Sequence, residues 1–199
     1  MRTAAAIGLC VILSACGLTG AAPDATPVAG TTSPPVQKAS APRITPPPVN
    51  PPDPPGTNLP NFSCANTGGG AAGVANLTDV RIAQQAGYER VVLQFDHRVP
   101  SYTVKRQAKP VFRGRASGQP VTLSGIAGAL VQIHSATASG TYHGPTDIPH
   151  PDFQVLSEAK IVEDFEGYLS WGLGLGHAAC LRTFTLNDPA RLVIDFKTS

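Results

Sequence analysis

The sequence predicts an all-β fold: an antiparallel β-sandwich of about eight to nine short strands, preceded by a signal peptide and a disordered proline-rich linker. Three observations predict it. Val91, Leu93 and Phe95 alternate with Val92, Gln94 and Asp96, the period of two expected of a half-buried strand, and Leu169–Trp171–Leu173 and Leu192–Ile194–Phe196 repeat the pattern. Gly87, Gly118, Gly140 and Pro145 mark turns between candidate strands, and no stretch carries a long helical period. Of the 20 prolines, 13 fall between Gly17 and Pro60, which leaves too few apolar residues there to bury a core.

The first element spans residues 1–15. Arg2 gives a minimal positive start, and Ala4 to Leu13 gives an apolar run too short to span a bilayer, so the segment reads as a signal peptide. It ends in Leu13-Ser14-Ala15-Cys16, followed by Gly17, which looks like a bacterial lipobox. That resemblance implies a lipid on Cys16, of the palmitate type, as the chain's only membrane anchor. The alternative is an ordinary signal peptide with a chance cysteine.

The second element, residues 16–60, contains Pro46-Pro47-Pro48 and Pro51-Pro52-Asp53-Pro54-Pro55. Proline fixes φ and removes the amide donor, so the segment favours extended polyproline II. At about 3.1 Å per residue it would reach on the order of 100 Å if fully stretched. This is read as a spacer holding the domain off the membrane.

The third element, residues 61–199, is long enough for one core of its own. Beyond the three alternating segments, strands are expected at Leu77–Ala83, Ser101–Arg106, Val121–Ser124, Ala129–His134, Phe153–Val162 and Leu181–Leu186. Tyr88–Phe95 and Pro189–Phe196 share the order Arg, three aliphatics, a polar residue and Phe. The shared order makes them candidates for symmetry-related strands of two sheets, without establishing a repeat. Cys64 and Cys180 form an even pair in a chain read as exported, which suggests a disulfide. Two free thiols are the alternative.

Charge excludes one class of partner. The formal net charge is only +2, so the basic excess of a nucleic-acid-binding domain is missing. The abundance of Ala, Gly and Pro, with more Arg than Lys, fits a GC-rich genome such as an actinobacterial one.

Three stretches carry a family resemblance: Leu77-Thr78-Asp79-Val80-Arg81-Ile82 leading into Tyr88-Glu89-Arg90-Val91-Val92; Asp164-Phe165-Glu166-Gly167 leading into Trp171-Gly172-Leu173-Gly174-Leu175; and Asn187-Asp188-Pro189-Ala190-Arg191-Leu192-Val193-Ile194-Asp195. In this order they resemble the AMIN-like domain of bacterial lipoproteins, over almost all of residues 75–198. The closing Pro189–Asp195 element is shared with the wider AMIN family. Through it the resemblance implies a β-sandwich placed in the cell envelope and associated with peptidoglycan, while the AMIN-like branch brings no defined ligand. It brings no catalytic residues.

The residues themselves offer only weak sites. No G-x-S-x-G, H-E-x-x-H or glycine-rich phosphate loop is present, and no catalytic constellation or cofactor is expected. His143, Asp147, His150 and Asp152 share a proline-rich loop that could bind zinc or copper, though their spacing matches no standard motif. Arg98, Lys105, Arg106, Lys109, Arg113 and Arg115 form a basic run. It suits either anionic wall polymers or pairing with Glu158, Glu163, Asp164 and Glu166. Arg90 and Arg191 are expected to cap strand ends beside a carboxylate such as Glu89 or Asp195. Trp171 belongs in the core, by its alternation with Leu169 and Leu173. Tyr102, Tyr142 and Tyr168, with Arg106 and Arg113, are the expected ligand-contact residues.

The reading is therefore a non-catalytic lipoprotein, anchored on the extracytoplasmic face of the cell membrane, whose domain binds peptidoglycan or a wall-associated protein. A small-ligand or metal-binding lipoprotein using the His143–Asp152 loop is one alternative, and an assembly lipoprotein with a protein partner is another.

Overall fold

The computed structural model of the chain describes residues 58–199. The expected signal peptide, Cys16 and nearly all of the proline-rich segment lie outside the described residues. Within them there are strands and turns but no helix.

Two sheets face each other. The first contains β2 (Ala75–Gln85), β3 (Tyr88–Phe95), β8 (Ala136–Thr137), β12 (Leu181–Leu186) and β13 (Arg191–Lys197), in the order β12-β13-β3-β2-β8. The second contains β1 (Thr67–Gly69), β4 (Tyr102–Gln107), β7 (Ala127–His134), β9 (Asp147–Pro149), β10 (Leu156–Phe165) and β11 (Tyr168–Leu175), in the order β1-β4-β7-β11-β10-β9. Neighbouring strands run antiparallel except β2 and β8, which pair in parallel. A separate hairpin joins β5 (Val111–Arg113) to β6 (Pro120–Thr122).

The alternation in sequence decides which side chains meet between the sheets. Val91, Leu93 and Phe95 from β3, with Leu192, Ile194 and Phe196 from β13, face Val131 and Ile133 from β7 and Leu169, Trp171 and Leu173 from β11. All are buried. At roughly 1.5–3 kcal/mol for each fully buried large apolar side chain, this layer dominates the stabilisation. Trp171 is inside it, as its alternation implied.

Nine of the thirteen strands among the described residues correspond to those expected, with ends moved by at most three residues and Leu181–Leu186 unchanged. The other four, β1, β5, β8 and β9, are two or three residues long. Strands that short cannot show an alternation; β1, β8 and β9 pair with longer partners, and β5 pairs with the equally short β6. The similar segments Tyr88–Phe95 and Pro189–Phe196 are not symmetry mates in two sheets. They are adjacent antiparallel strands of one sheet, Val91 opposite Ile194 and Leu93 opposite Leu192. Their likeness reflects a shared environment.

The outer face of the second sheet explains the glycines of β7 and β11. A Cβ on Gly172 would lie 2.7 Å from the Phe112 ring, and one on Gly128 would lie 2.8 Å from it. Their absence leaves a flat seat on which the β5–β6 hairpin packs Phe112 beside Leu123 and Leu130.

Charged residues stitch the periphery. Asp195, wholly buried on the outer face of the first sheet, accepts Nε and Nη2 of Arg90 at 2.7 and 3.0 Å, and Nε of Arg182 at 2.7 Å. Arg90 thus sits mid-strand in a cross-strand pair and not at a strand end. Arg191 is placed differently from the expected carboxylate pairing, since its Nε donates to the Pro189 carbonyl. Cys64 and Cys180 are joined by a disulfide that ties the chain ahead of β1 to the start of β12. Ser63 and Leu181 exchange backbone hydrogen bonds beside it.

Candidate functional site

The β10–β11 hairpin turns through Glu166 and Gly167, both at positive φ, 48° and 77°. Two successive left-handed residues make the tight turn whose twist matches antiparallel strands, and glycine adopts this conformation without strain. The turn sets Phe165 directly opposite Tyr168, and Tyr168 is in turn opposite His134 of β7. Directly opposed residues project from the same face of a sheet. Phe165, Tyr168 and His134 therefore form one row of rings across three strands, roughly 10 Å from first strand to third.

The row is accessible and supported. Phe165 is 52% exposed and Tyr168 37%. His134 meets the Tyr168 ring edge-on at 5.2 Å between centroids. The Arg115 guanidinium lies over the same ring at 4.5 Å, a contact worth about 0.5–1 kcal/mol at an exposed site.

A hollow flanks the row on each side. One, of about 450 Å³, is lined by Val74, His134, Thr137, Glu166 and Tyr168. The other, of about 220 Å³, is lined by Arg115, Ala116, Glu163, Phe165, Glu166 and Tyr168. Glu163 is only 9% exposed, and its Oε1 accepts the Ala116 amide at 2.7 Å. Its Oε2 is buried with no hydrogen-bond partner among the described residues. The ensemble offers flat apolar rings, one cation and one exposed carboxylate on Glu166. That chemistry suits binding of a sugar, whose faces are apolar and whose edges carry hydroxyl and amide donors.

Four other acidic side chains hold backbone. Asp164 accepts the Ala138 and Ser139 amides and the Thr137 hydroxyl. Glu158 accepts the Ser124 amide at 2.7 Å. Glu89, buried at the edge of the sandwich, accepts the three successive amides of Gln154, Val155 and Leu156 at 2.6–3.2 Å. Asp96 clasps the backbone and side-chain amides of Asn76. Burial raises its pKa, but the Asn76 hydrogen bonds and His97 outweigh that and hold it below the usual carboxylate value.

The expected contact residues are scattered. Tyr168 is at the centre of the cleft. Tyr102 is only 4% exposed, packed between the sheets with its hydroxyl near Thr183 Oγ1, so its ring is not a surface contact. The cause is visible in β4, where Tyr102 and Val104 share the inward face. Tyr142 is partly buried, edge-on to Trp171, and donates to the Pro145 carbonyl. Burial, with the negative charge of Asp79, raises its pKa. Arg106 donates to the carbonyls of Cys64 and Ala179, clamping both sides of the disulfide. Arg113 closes the turn at Gly118.

The basic run is not paired with the acidic residues proposed for it. Glu158, Glu163 and Asp164 accept backbone amides, while Arg98, Arg106 and Arg113 donate to carbonyls.

The histidine–aspartate loop does not assemble a metal site. Asp147 is taken by Lys160 at 2.6 Å, a hydrogen bond that raises the lysine pKa. His150 stacks on Phe153 at 4.3 Å. Among the described residues no three His, Cys, Asp or Glu side chains group so as to hold a metal ion.

Sequence reasoning missed His134, Phe165 and Glu163. Phe165 was within reach, since the two-residue turn Glu166-Gly167 places it across from Tyr168. His134 carried no such local signal, because its register with β11 is set over a long stretch of chain.

Comparison with protein families finds that the model described as AMIN-like domain matches residues 75–198, from the start of β2 to the end of β13. No curated protein and no solved structure gives a significant match.

Proposed function

With residues 75–198 matched, the chain belongs to the AMIN-like domain family, and we propose that it is a non-catalytic cell-envelope protein whose domain binds peptidoglycan at the Tyr168 cleft. The observation that carries the choice of site is the row Phe165–Tyr168–His134, two of its rings open to solvent and flanked by hollows. Its breadth, roughly 10 Å, is that of two sugar rings in a glycan strand. Glu166 is placed to accept hydroxyl or acetamido donors, and Arg115 packs against the Tyr168 ring. Rigid rings bind with little loss of conformational freedom, which favours affinity.

The same proposal includes delivery. A lipid on Cys16 would hold the chain at the extracytoplasmic face of the membrane, and the proline-rich segment would let the domain reach the wall. Both features rest on the sequence pattern of residues 1–60.

The test is co-sedimentation of the full chain with isolated cell-wall sacculi while salt is raised. Saturable binding that persists in salt, and weakens roughly tenfold with Tyr168→Ala, is expected for loss of a stacking anchor. Binding that vanishes at moderate salt would assign it to the basic run 98–115. No sedimentation at any salt would overturn the proposal in favour of a protein partner.

A further inference from the structure

The outer face of the first sheet carries a third hollow, of about 230 Å³, away from the Tyr168 cleft. Its floor is Val92 of β3 and Val193 of β13, directly opposite each other, with Leu186 and Ala83 at the sides. Arg81 of β2 and Arg191 of β13 stand at its rim. They lie on diagonal positions two strands apart and two residues along, so their backbones are roughly 12 Å from each other. The carboxylate partner expected for Arg191 is not found among the described residues, where its Nε meets the Pro189 carbonyl.

The charges on this face are unevenly matched. Arg81 contacts Asp79 at 3.2 Å and donates to Gln94 Oε1 at 2.8 Å. Arg90 and Arg182 share Asp195. Arg191 donates its Nε to the Pro189 carbonyl at 3.2 Å, and among the described residues no carboxylate meets its terminal nitrogens. A guanidinium fork matches a planar carboxylate with two parallel hydrogen bonds. The floor beside it is apolar and small.

We propose that this hollow binds the C-terminal carboxylate of a short extended peptide whose last residues are small and apolar. The carboxylate sits on Arg191, the terminal side chain rests on Val92 and Val193, and a backbone carbonyl one residue back faces Arg81. Among the described residues Arg191 has no carboxylate on its terminal nitrogens, and its planar fork matches a single planar carboxylate. The site shares no residue with the Tyr168 cleft and stands whether or not that cleft binds glycan.

The experiment is an NMR titration of the ¹⁵N-labelled full chain with N-acetyl-alanyl-alanine, with the same peptide as its C-terminal amide, and with inorganic phosphate. The free acid is expected to give saturable shifts at Val92, Val193 and the Arg191 Nε–H. The amide and phosphate are expected to bind roughly tenfold more weakly or less, as loss of a charge-assisted pair implies. Arg191→Gln should weaken the acid by a similar factor while the Trp171 indole resonance stays in place as a check on folding. Tyr168→Ala should leave the titration unchanged, which separates this site from the proposed glycan cleft. Equal binding of acid and amide, stronger binding of phosphate, indifference to Arg191→Gln, or no saturable shift would each overturn the assignment.

Discussion

Glu89→Gln tests the most concentrated polar contact in the domain. The Glu89 carboxylate is 2% exposed and accepts from Gln154 at 2.6 Å, Val155 at 3.1 and 3.2 Å, and Leu156 at 2.6 Å. Hydrogen bonds to a charged group contribute about 1.5–3 kcal/mol each, and a buried amide left without an acceptor costs about 1–3 kcal/mol. Glutamine keeps one acceptor oxygen but turns an –NH₂ donor toward either the Gln154 or the Leu156 N–H. At least one amide then loses its acceptor, and the remaining bonds lose charge assistance. The sum is a destabilisation of about 2–4 kcal/mol. A domain stable by the usual 5–15 kcal/mol would remain folded, so the loss is measurable. Urea unfolding with the disulfide intact gives the global figure. Hydrogen exchange at Val155 and Leu156 gives the local one, and should accelerate more than at Leu93 or Ile194. A change below about 0.5 kcal/mol, the level of an ordinary surface substitution, would refute the role assigned to the nest.

Two further outcomes follow from the same structure. Replacing both Cys64 and Cys180 with alanine frees a 116-residue separation, and the chain-entropy model sets the loss at about 3–5 kcal/mol; an unchanged urea midpoint would contradict it. Burial lowers the His150 pKa below its ordinary 6.5, against the opposing charge of Glu89. Above pH 6.5 the ring is neutral in both folded and unfolded chains. As pH falls below that value the unfolded chain takes up the proton first, so stability declines until the lowered folded pKa is passed. His150→Phe, which keeps the ring stacked on Phe153, should therefore lose less in melting temperature between pH 7 and 5 than the parent does. Parallel melting curves would exclude His150 as a source of that slope.

The long strands were legible because one face of each is buried and the side-chain period is two. Val91-Leu93-Phe95 and Leu169-Trp171-Leu173 say which way they point before any partner is known. What the sequence could not show is who sits opposite. Arg90 and Asp195 are 105 residues apart, and Glu89 meets amides 65 to 67 residues away. Such contacts exist only once the register of the sheets is set. Tyr102 is an instructive miss, because its alternation with Val104 already marked the inward face, yet a tyrosine in a polar neighbourhood reads as exposed. Phe165 was left beyond the expected strand Phe153–Val162, because the strand's last three residues follow no simple alternation past the bulge near Ile161.

The disulfide has a mechanical consequence. When the domain holds something at Tyr168 while the preceding chain is pulled, tension arriving at Cys64 crosses at once to Cys180. From there the covalent route to Tyr168 runs back along β11, and the ten strands from β1 to β10 lie outside it as a slack loop. Load falls on β11, which is hydrogen-bonded on both sides, to β7 and β10. A strand flanked on both edges resists extraction far better than an edge strand peeled away one bond at a time. With the bond reduced, the same tension would instead unzip the domain from β1 onward.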